Sequence, residues 1–283
     1  MLAILGGFGA AAAWAISLLC SSRSSRLIEP MAVVAWIMLV GLIVTVPLVV
    51  ATGVPSSLHG EAVVWLALAG IGNVAGLIVN YYALRIGQVS LVAPLVSTEG
   101  AIAAVIAVIA GQSLELSVAF ALLAIAAGIG LASVPSPDAA VEDAARHPTA
   151  VVLAALAAVC FGASLYATGR AGATLPASWV VLSARVVGVV ALALPLALSG
   201  RLRLPRRVAP LVIASGVCEV AGFFSYTFGS RHNLPIAAVL SSQFAVLALA
   251  ASYVLFGERL SRIQLAGVAC VIVGVAALSA LRA

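Results

Sequence analysis

Long apolar runs, separated by short polar breaks, follow one another along the whole chain. An α-helix needs about 20 apolar residues to cross roughly 30 Å of hydrocarbon, and the sequence holds ten runs of that size. No alternation with a period of two indicates strands. The pattern therefore predicts an all-α membrane protein with ten spans. Their approximate bounds are 2–20, 31–52, 61–84, 89–110, 116–134, 149–169, 177–198, 208–230, 235–256 and 262–281.

The second half of the chain repeats the first. The 61 residues Asn73–Ser133 align without a gap with Glu219–Ser279, at a constant offset of 146. Five helices per unit is an odd number, so the second unit enters the membrane inverted relative to the first. The sequence predicts two inverted five-helix repeats, residues 1–134 and 149–283, joined by a linker over residues 135–148.

Composition places the chain in a membrane. It is 64% hydrophobic and 8% charged, with a mean hydropathy of +1.24, whereas about a quarter of residues are charged in soluble domains. The net charge of +5 comes from arginines that lie between apolar runs, which is typical of helix orientation and not of nucleic-acid binding. We expect the lipid bilayer as a partner, no nucleic acid, and a location in the bacterial inner (plasma) membrane.

The arginines between spans predict the orientation. Ten of them follow odd-numbered spans and three lie on the opposite side. Because arginine is enriched in short cytoplasmic loops, this count puts both termini outside. The ten are Arg23, Arg26, Arg85, Arg146, Arg201, Arg203, Arg206, Arg207, Arg259 and Arg262.

Three ionisable residues fall inside predicted spans: Glu99, Glu219 and Arg185. Such groups are costly in a bilayer, so they need a partner, a wet cavity or neutralisation. One interpretation is a polar cavity in which a carboxyl group takes up and releases a proton during transport. The other is a buried ion pair, or a protonated glutamate held by a hydroxyl, that serves packing alone.

Two helices carry matching polar stripes. On the third span Asn73 and Asn80 are two turns apart, and they align with Glu219 and Tyr226 on the eighth span. Such a pair of stripes would line a cavity between related helices. Alternatively, the glycines in the stripes allow close packing and the amides bond between helices.

Hydroxyl and amide groups cluster at aligned positions in the fourth and ninth spans. These are Ser97 and Thr98 in one, and Ser242 and Gln243 in the other. A single hydroxyl in a helix often bonds only to its own backbone. As paired clusters close to Glu99, they are candidate substrate contacts.

Aromatic residues within the spans are candidates for contact with an organic substrate. Those chosen as site candidates are Trp14, Tyr81, Tyr82 and Tyr226.

Sequence signatures of enzymes are missing. The chain has no HExxH, GxSxG or P-loop motif, and its cysteines form no CxxC pair. We expect no enzymatic activity, no metal site and no cofactor.

The segment FGERLSRIQLAGVACVIVGV, residues 256–275, ends one apolar run with Gly-Glu-Arg-Leu and continues into a glycine-containing helix. In this signature and in its two-unit architecture the chain resembles the EamA-type members of the drug/metabolite transporter superfamily. The resemblance implies ten helices, a central cavity built by spans 1–4 and 6–9, and proton-coupled or exchange transport of small organic solutes, often export. It also implies cytoplasmic termini, opposite to the arginine count.

The chain departs from the family pattern at two places. Gln112 replaces the acidic residue of the signature in the first unit, and Glu99 and Ala245 stand where the family commonly has a proline. The resemblance therefore does not imply a role for Glu99.

We predict a secondary transporter that moves small organic metabolites or amino acids outward by alternating access, with a proton as the candidate coupling ion. The alternative is an ion-independent facilitator or exchanger, or a lipid-handling protein on the same fold. Monomer and homodimer both stay open.

Overall fold

The computed structural model describes residues 1–87, 89–112, 115–132 and 148–247, with single positions between 263 and 277. In these ranges the regular structure is helical throughout. The helices of the first half are α1 Leu2–Leu27, α2 Pro30–Thr52, α3 Glu61–Ile86, α4 Val89–Val96, α5 Glu99–Ile109 and α6 Leu116–Ala132. Those of the second half are α7 Pro148–Gly172, α8 Ala177–Gly188, α9 Leu194–Leu198, α10 Ala209–Ser230 and α11 Leu234–Ser241.

Within the described residues, six helical segments are long and apolar enough to cross a membrane: α1, α2, α3, α7, the run Ala177–Leu198 and α10. They confirm six of the predicted spans. The fourth, fifth and ninth spans contain shorter apolar helices, and the tenth lies mostly outside the described residues. The predicted total of ten helices is therefore not confirmed, whereas the all-helical membrane fold is.

The fourth predicted span is not one continuous helix. It is interrupted at Ser97 and Thr98, between α4 and α5. The Thr98 hydroxyl donates to the Leu95 carbonyl at 2.7 Å, and the Thr98 amide reaches the same carbonyl at 3.3 Å. A hydroxyl that occupies a backbone acceptor in this way competes with the helical bonding pattern.

The ninth span is interrupted in a similar way, at Ser242 and Gln243. The hydroxyls of Ser241 and Ser242 both donate to the Ala238 carbonyl, at 2.8 and 3.1 Å. In the gap-free alignment of the two halves, Gln243 corresponds to Ser97. The two breaks thus fall at nearly equivalent positions.

The seventh span contains a π-helical turn, Val189–Ala193, between α8 and α9. Pro195 follows this turn and has no backbone N–H, so it cannot make the usual helical bond. Wide turns of this kind are often found at functional sites. Arg185, one of the predicted site residues, lies one turn before it in α8.

Helices of the first half pack mainly against helices of the second. α1 contacts α10 and α3 contacts α7, while α2 contacts α8 and α5 contacts α11. Glycines allow the closest approaches: a Cβ added to Gly6 would stand 2.5 Å from the Cα of Gly229. Large apolar side chains cover the outside of the bundle, and a cluster of polar side chains is buried within it.

Candidate functional site

A cavity of about 60 Å³ lies between helices of both halves of the chain. A space of roughly 10–15 Å³ holds one water molecule, so this cavity has room for a few waters. Side chains from α1, α3, α4, α5, α7 and α10 form its wall, together with one residue beyond α11. They are Trp14, Ser17, Leu18, Ser21, Asn73, Leu77, Asn80, Tyr81, Val96, Glu99, Phe161, Ser164, Leu165, Glu219, Phe223 and Phe244.

Glu219 occupies the middle of α10 and is 6% exposed. The Ser17 hydroxyl donates to its Oε2 at 3.4 Å and lies 2.8 Å from the hydroxyl of Ser215. The Asn73 side chain is also close enough to interact with the carboxyl group. Polar groups from α1, α3 and α10 therefore meet at this glutamate.

Arg185 lies behind the cavity wall and is fully buried. Its guanidinium interacts electrostatically with Glu219 and Tyr81. It lies 5.5 Å from the centre of the Phe223 ring, and Nη1 is 3.5 Å from the Met38 sulfur. Among the described residues, Nε and Nη2 have no hydrogen-bond partner. Glu219 and Arg185 thus interact electrostatically, and Arg185 lies outside the cavity surface.

Glu99 is the first residue of α5 and is 5% exposed. It lines the same cavity as Glu219, and the two carboxyl groups are near enough to repel each other. The positive end of the α5 dipole favours a carboxylate at this position. In the described part of the chain, no cationic group acts on Glu99. The break after α4 is what brings this side chain to the cavity.

Asn73 and Asn80 both line the cavity from α3. They are 1% and 5% exposed, and the Oδ1 atom of each has no hydrogen-bond partner within the described part of the chain. Unpaired buried acceptors are uncommon in folded proteins. The α3 stripe predicted from the sequence thus faces the cavity with two free acceptors.

The aromatic candidates separate into two groups. Trp14 and Tyr81 line the cavity. Tyr226 is buried behind Trp14, at 6.1 Å between ring centres, and its hydroxyl donates to the Leu165 carbonyl at 2.9 Å. Tyr82 is partly buried on α3 and is not among the lining residues.

The hydroxyl clusters line a second, smaller space of about 50 Å³. Ser97, Thr98 and Ser242 contribute to its wall, while Gln243 is 2% exposed with no described partner for its Nε2. A Cβ on Gly100 would collide with the Ser242 hydroxyl and the Ala238 carbonyl. The two interrupted helices therefore cross in contact at this point. The structure places these candidates beside the main cavity, not in it.

Several wall residues were not among the predicted site residues. Ser17 and Ser164 are examples, and they align with each other at an offset of 147 in the two halves. Ser164 donates to the Ala69 carbonyl at 2.7 Å. The alignment of Ser17 with Ser164 was the feature of the sequence from which both could have been predicted as wall residues. Phe244, which lies just beyond the break at Gln243, has no such signal in the sequence.

No cluster of histidine, cysteine, aspartate or glutamate suited to a metal ion occurs in the ranges that the structure describes.

Comparison with known proteins gives the family. The model of the EamA-like transporter family matches residues 1–134 and 148–280. A solved structure described as "Crystal structure of protein" is similar in fold, with a TM-score of 0.75 and 20% sequence identity over 99% of this chain and 97% of that one. No curated protein matches. The chain belongs to the EamA-like transporter family, within the drug/metabolite transporter superfamily.

Proposed function

We propose that this membrane transporter moves small organic metabolites or amino acids outward across a bacterial inner membrane by alternating access, with a proton as the coupling ion. The cavity carries the proposal, because it holds two carboxyl groups, Glu99 and Glu219, among apolar membrane helices. Ionisable residues within membrane spans commonly mark substrate and proton pathways.

The charge balance supports proton coupling. With both carboxyl groups ionised, Arg185 offsets one of them, and one negative charge is left without a cation in the described part of the chain. Binding a proton at Glu99 or Glu219 removes that charge. The free energy of burying the two carboxyl groups therefore depends on their protonation. Other groups also interact with the two carboxyls: the Ser17 hydroxyl, the Asn73 amide, the Cys218 thiol and the phenols of Tyr81 and Tyr226.

Helix packing supports two inverted units, residues 1–134 and 149–283. The contact of α1 with α10 has its counterpart in that of α7 with α3, as a two-fold relation between the units requires. Transporters built from inverted repeats often bind substrate beside interrupted helices at the repeat interface. The crossing of α5 and α11 next to the breaks is a candidate for the element that moves as access alternates.

The test is solute counterflow in proteoliposomes, with pooled amino acids and metabolites and with or without an imposed pH gradient. We expect saturable flux that rises with the gradient. Glu99→Gln or Glu219→Gln should remove the response to the gradient. Glu29→Gln is the matched control, because Glu29 is surface-exposed and pairs with Arg201 at 3.2 Å.

The outcomes separate the alternatives. Flux that ignores the gradient in all variants would contradict proton coupling and support a facilitator or exchanger. No flux for any pool would contradict solute transport and favour lipid handling.

A further inference from the structure

Among the described charged groups, one cation lies near the two carboxyl groups of the cavity. Arg185 interacts with Glu219, whereas Glu99 feels only the repulsion of Glu219 among the described charged groups. A buried carboxylate without a cation is costly. A substrate that brought a positive charge to Glu99 would remove this cost.

Two acceptors in the same wall lack partners. The Oδ1 atoms of Asn73 and Asn80 have no partner in the described part of the chain, and the same holds for the Nε1–H donor of Trp14. The amide nitrogen of Asn73 faces the Glu219 carboxyl group, which supports the assignment of the Asn73 oxygen to the unpaired side. A ligand N–H group would satisfy either oxygen. One group does not reach both, because the two side chains are two turns, about 10 Å, apart along α3.

Apolar and aromatic side chains form much of the rest of the wall. Trp14, Phe161 and Phe244 contribute to it, with Leu77 and Val96 nearby. Aromatic faces attract cations in addition to covering apolar groups. The wall therefore suits an apolar body attached to a positive group.

An anionic substrate fits less well. Arg185 is not part of the cavity surface, and its guanidinium lies beside the Phe223 ring and the Met38 sulfur. A carboxylate in the cavity would instead meet Glu99 and Glu219. Like charges at such short range are unfavourable.

We infer that the transported solute is a protonated primary amine on an apolar or aromatic body, held at its ammonium end by Glu99 and Asn80. This inference rests on the proposed function, whose substrate it narrows. A primary ammonium group supplies three donors, which is enough for the Glu99 carboxylate and one asparagine oxygen. A quaternary ammonium would leave that oxygen unpaired.

The test measures binding to the purified protein by calorimetry at pH 7. The probes are 2-phenylethylamine, L-phenylalanine and 3-phenylpropionate, which share one body and differ in charge. We expect the amine to bind at least about tenfold more tightly than the acid, since an ammonium pairs with a buried carboxylate. Glu99→Gln should weaken amine binding by at least about tenfold, and Glu29→Gln should not change it.

Equal binding of the three probes, tighter binding of the acid or the amino acid, or no amine binding would overturn the inference. The probe series on the unaltered protein decides this even where Glu99→Gln does not fold. Asn80→Leu provides a second variant, and it should weaken the amine more than the acid. Saturable transport of acids without amine binding would contradict the inference and leave the proposed function standing. Amine binding without any transport would contradict the proposed function alone.

Discussion

The hydroxyls of Ser17 and Ser215 lie 2.8 Å apart and join α1 to α10 one turn before Glu219. Ser17 also donates to Glu219 at 3.4 Å. One serine therefore connects the helix pairing between the two halves to a carboxyl group in the cavity. Its neighbours on the same helix, Trp14 and Ser21, line that cavity as well.

Replacing Ser17 or Ser215 by alanine should lower the free energy of unfolding by about 1 kcal/mol each. Because the two hydroxyls bond to each other, the double variant should cost less than the sum of the single ones. Thermal unfolding in detergent measures this. Ser183→Ala is the control, since the Ser183 hydroxyl bonds only to the Val180 carbonyl of its own helix. Strict additivity of the Ser17 and Ser215 changes would contradict the contact.

Gly100→Ala should destabilise the protein by about 1–3 kcal/mol, since a Cβ there would overlap the Ser242 hydroxyl and the Ala238 backbone carbonyl. The backbone partner cannot simply rotate away. Gly130→Ala in α6 is the matched control, because nothing lies within 4 Å of the added atom. It should be neutral, or stabilising by up to about 1 kcal/mol. Equal melting temperatures of the two variants would argue against the crossing of α5 and α11.

Arg185→Met should lower stability on the order of 3 kcal/mol, because it leaves the buried Glu219 carboxylate without its cation. Adding Glu219→Gln should recover part of that loss. Unfolding in a denaturing detergent series measures both variants. Arg201→Met breaks an exposed pair with Glu29 and should change stability by less than about 1 kcal/mol. The electrostatic pairing is falsified if the double variant is no more stable than Arg185→Met alone.

Tyr226→Phe should reduce stability by about 1 kcal/mol, because the Leu165 carbonyl loses the hydroxyl that donates to it at 2.9 Å. Tyr226 lies behind Trp14 and does not line the cavity, so the concentration of solute at half-maximal flux should stay within about twofold of the original. Melting temperature and counterflow of the same preparation give the two values. A large rise in that concentration at unchanged stability would instead place the phenol in contact with the solute.

The sequence by itself determined the membrane class, the helical fold and most of the spans. It could do so because spanning a bilayer constrains length and hydropathy locally, and because each backbone group must bond within its own helix. Glu99, Glu219, Asn73 and Asn80 were found for a similar reason: a polar residue in an apolar run stands out without any knowledge of its neighbours.

Only the tertiary structure decided how these residues group together. The packing of α1 on α10 and of α3 on α7 brings Trp14, Asn73 and Glu219 to one cavity. The breaks in the fourth and ninth spans place Ser97 and Ser242 in a second space. The side chains of Arg185 and Tyr226 lie behind the cavity wall. Tyr226 is on α10, which also carries lining residues, whereas Arg185 is on α8, which carries none. Hydropathy along the chain does not contain this information, since the distances between helices are set by side-chain packing between residues far apart in sequence.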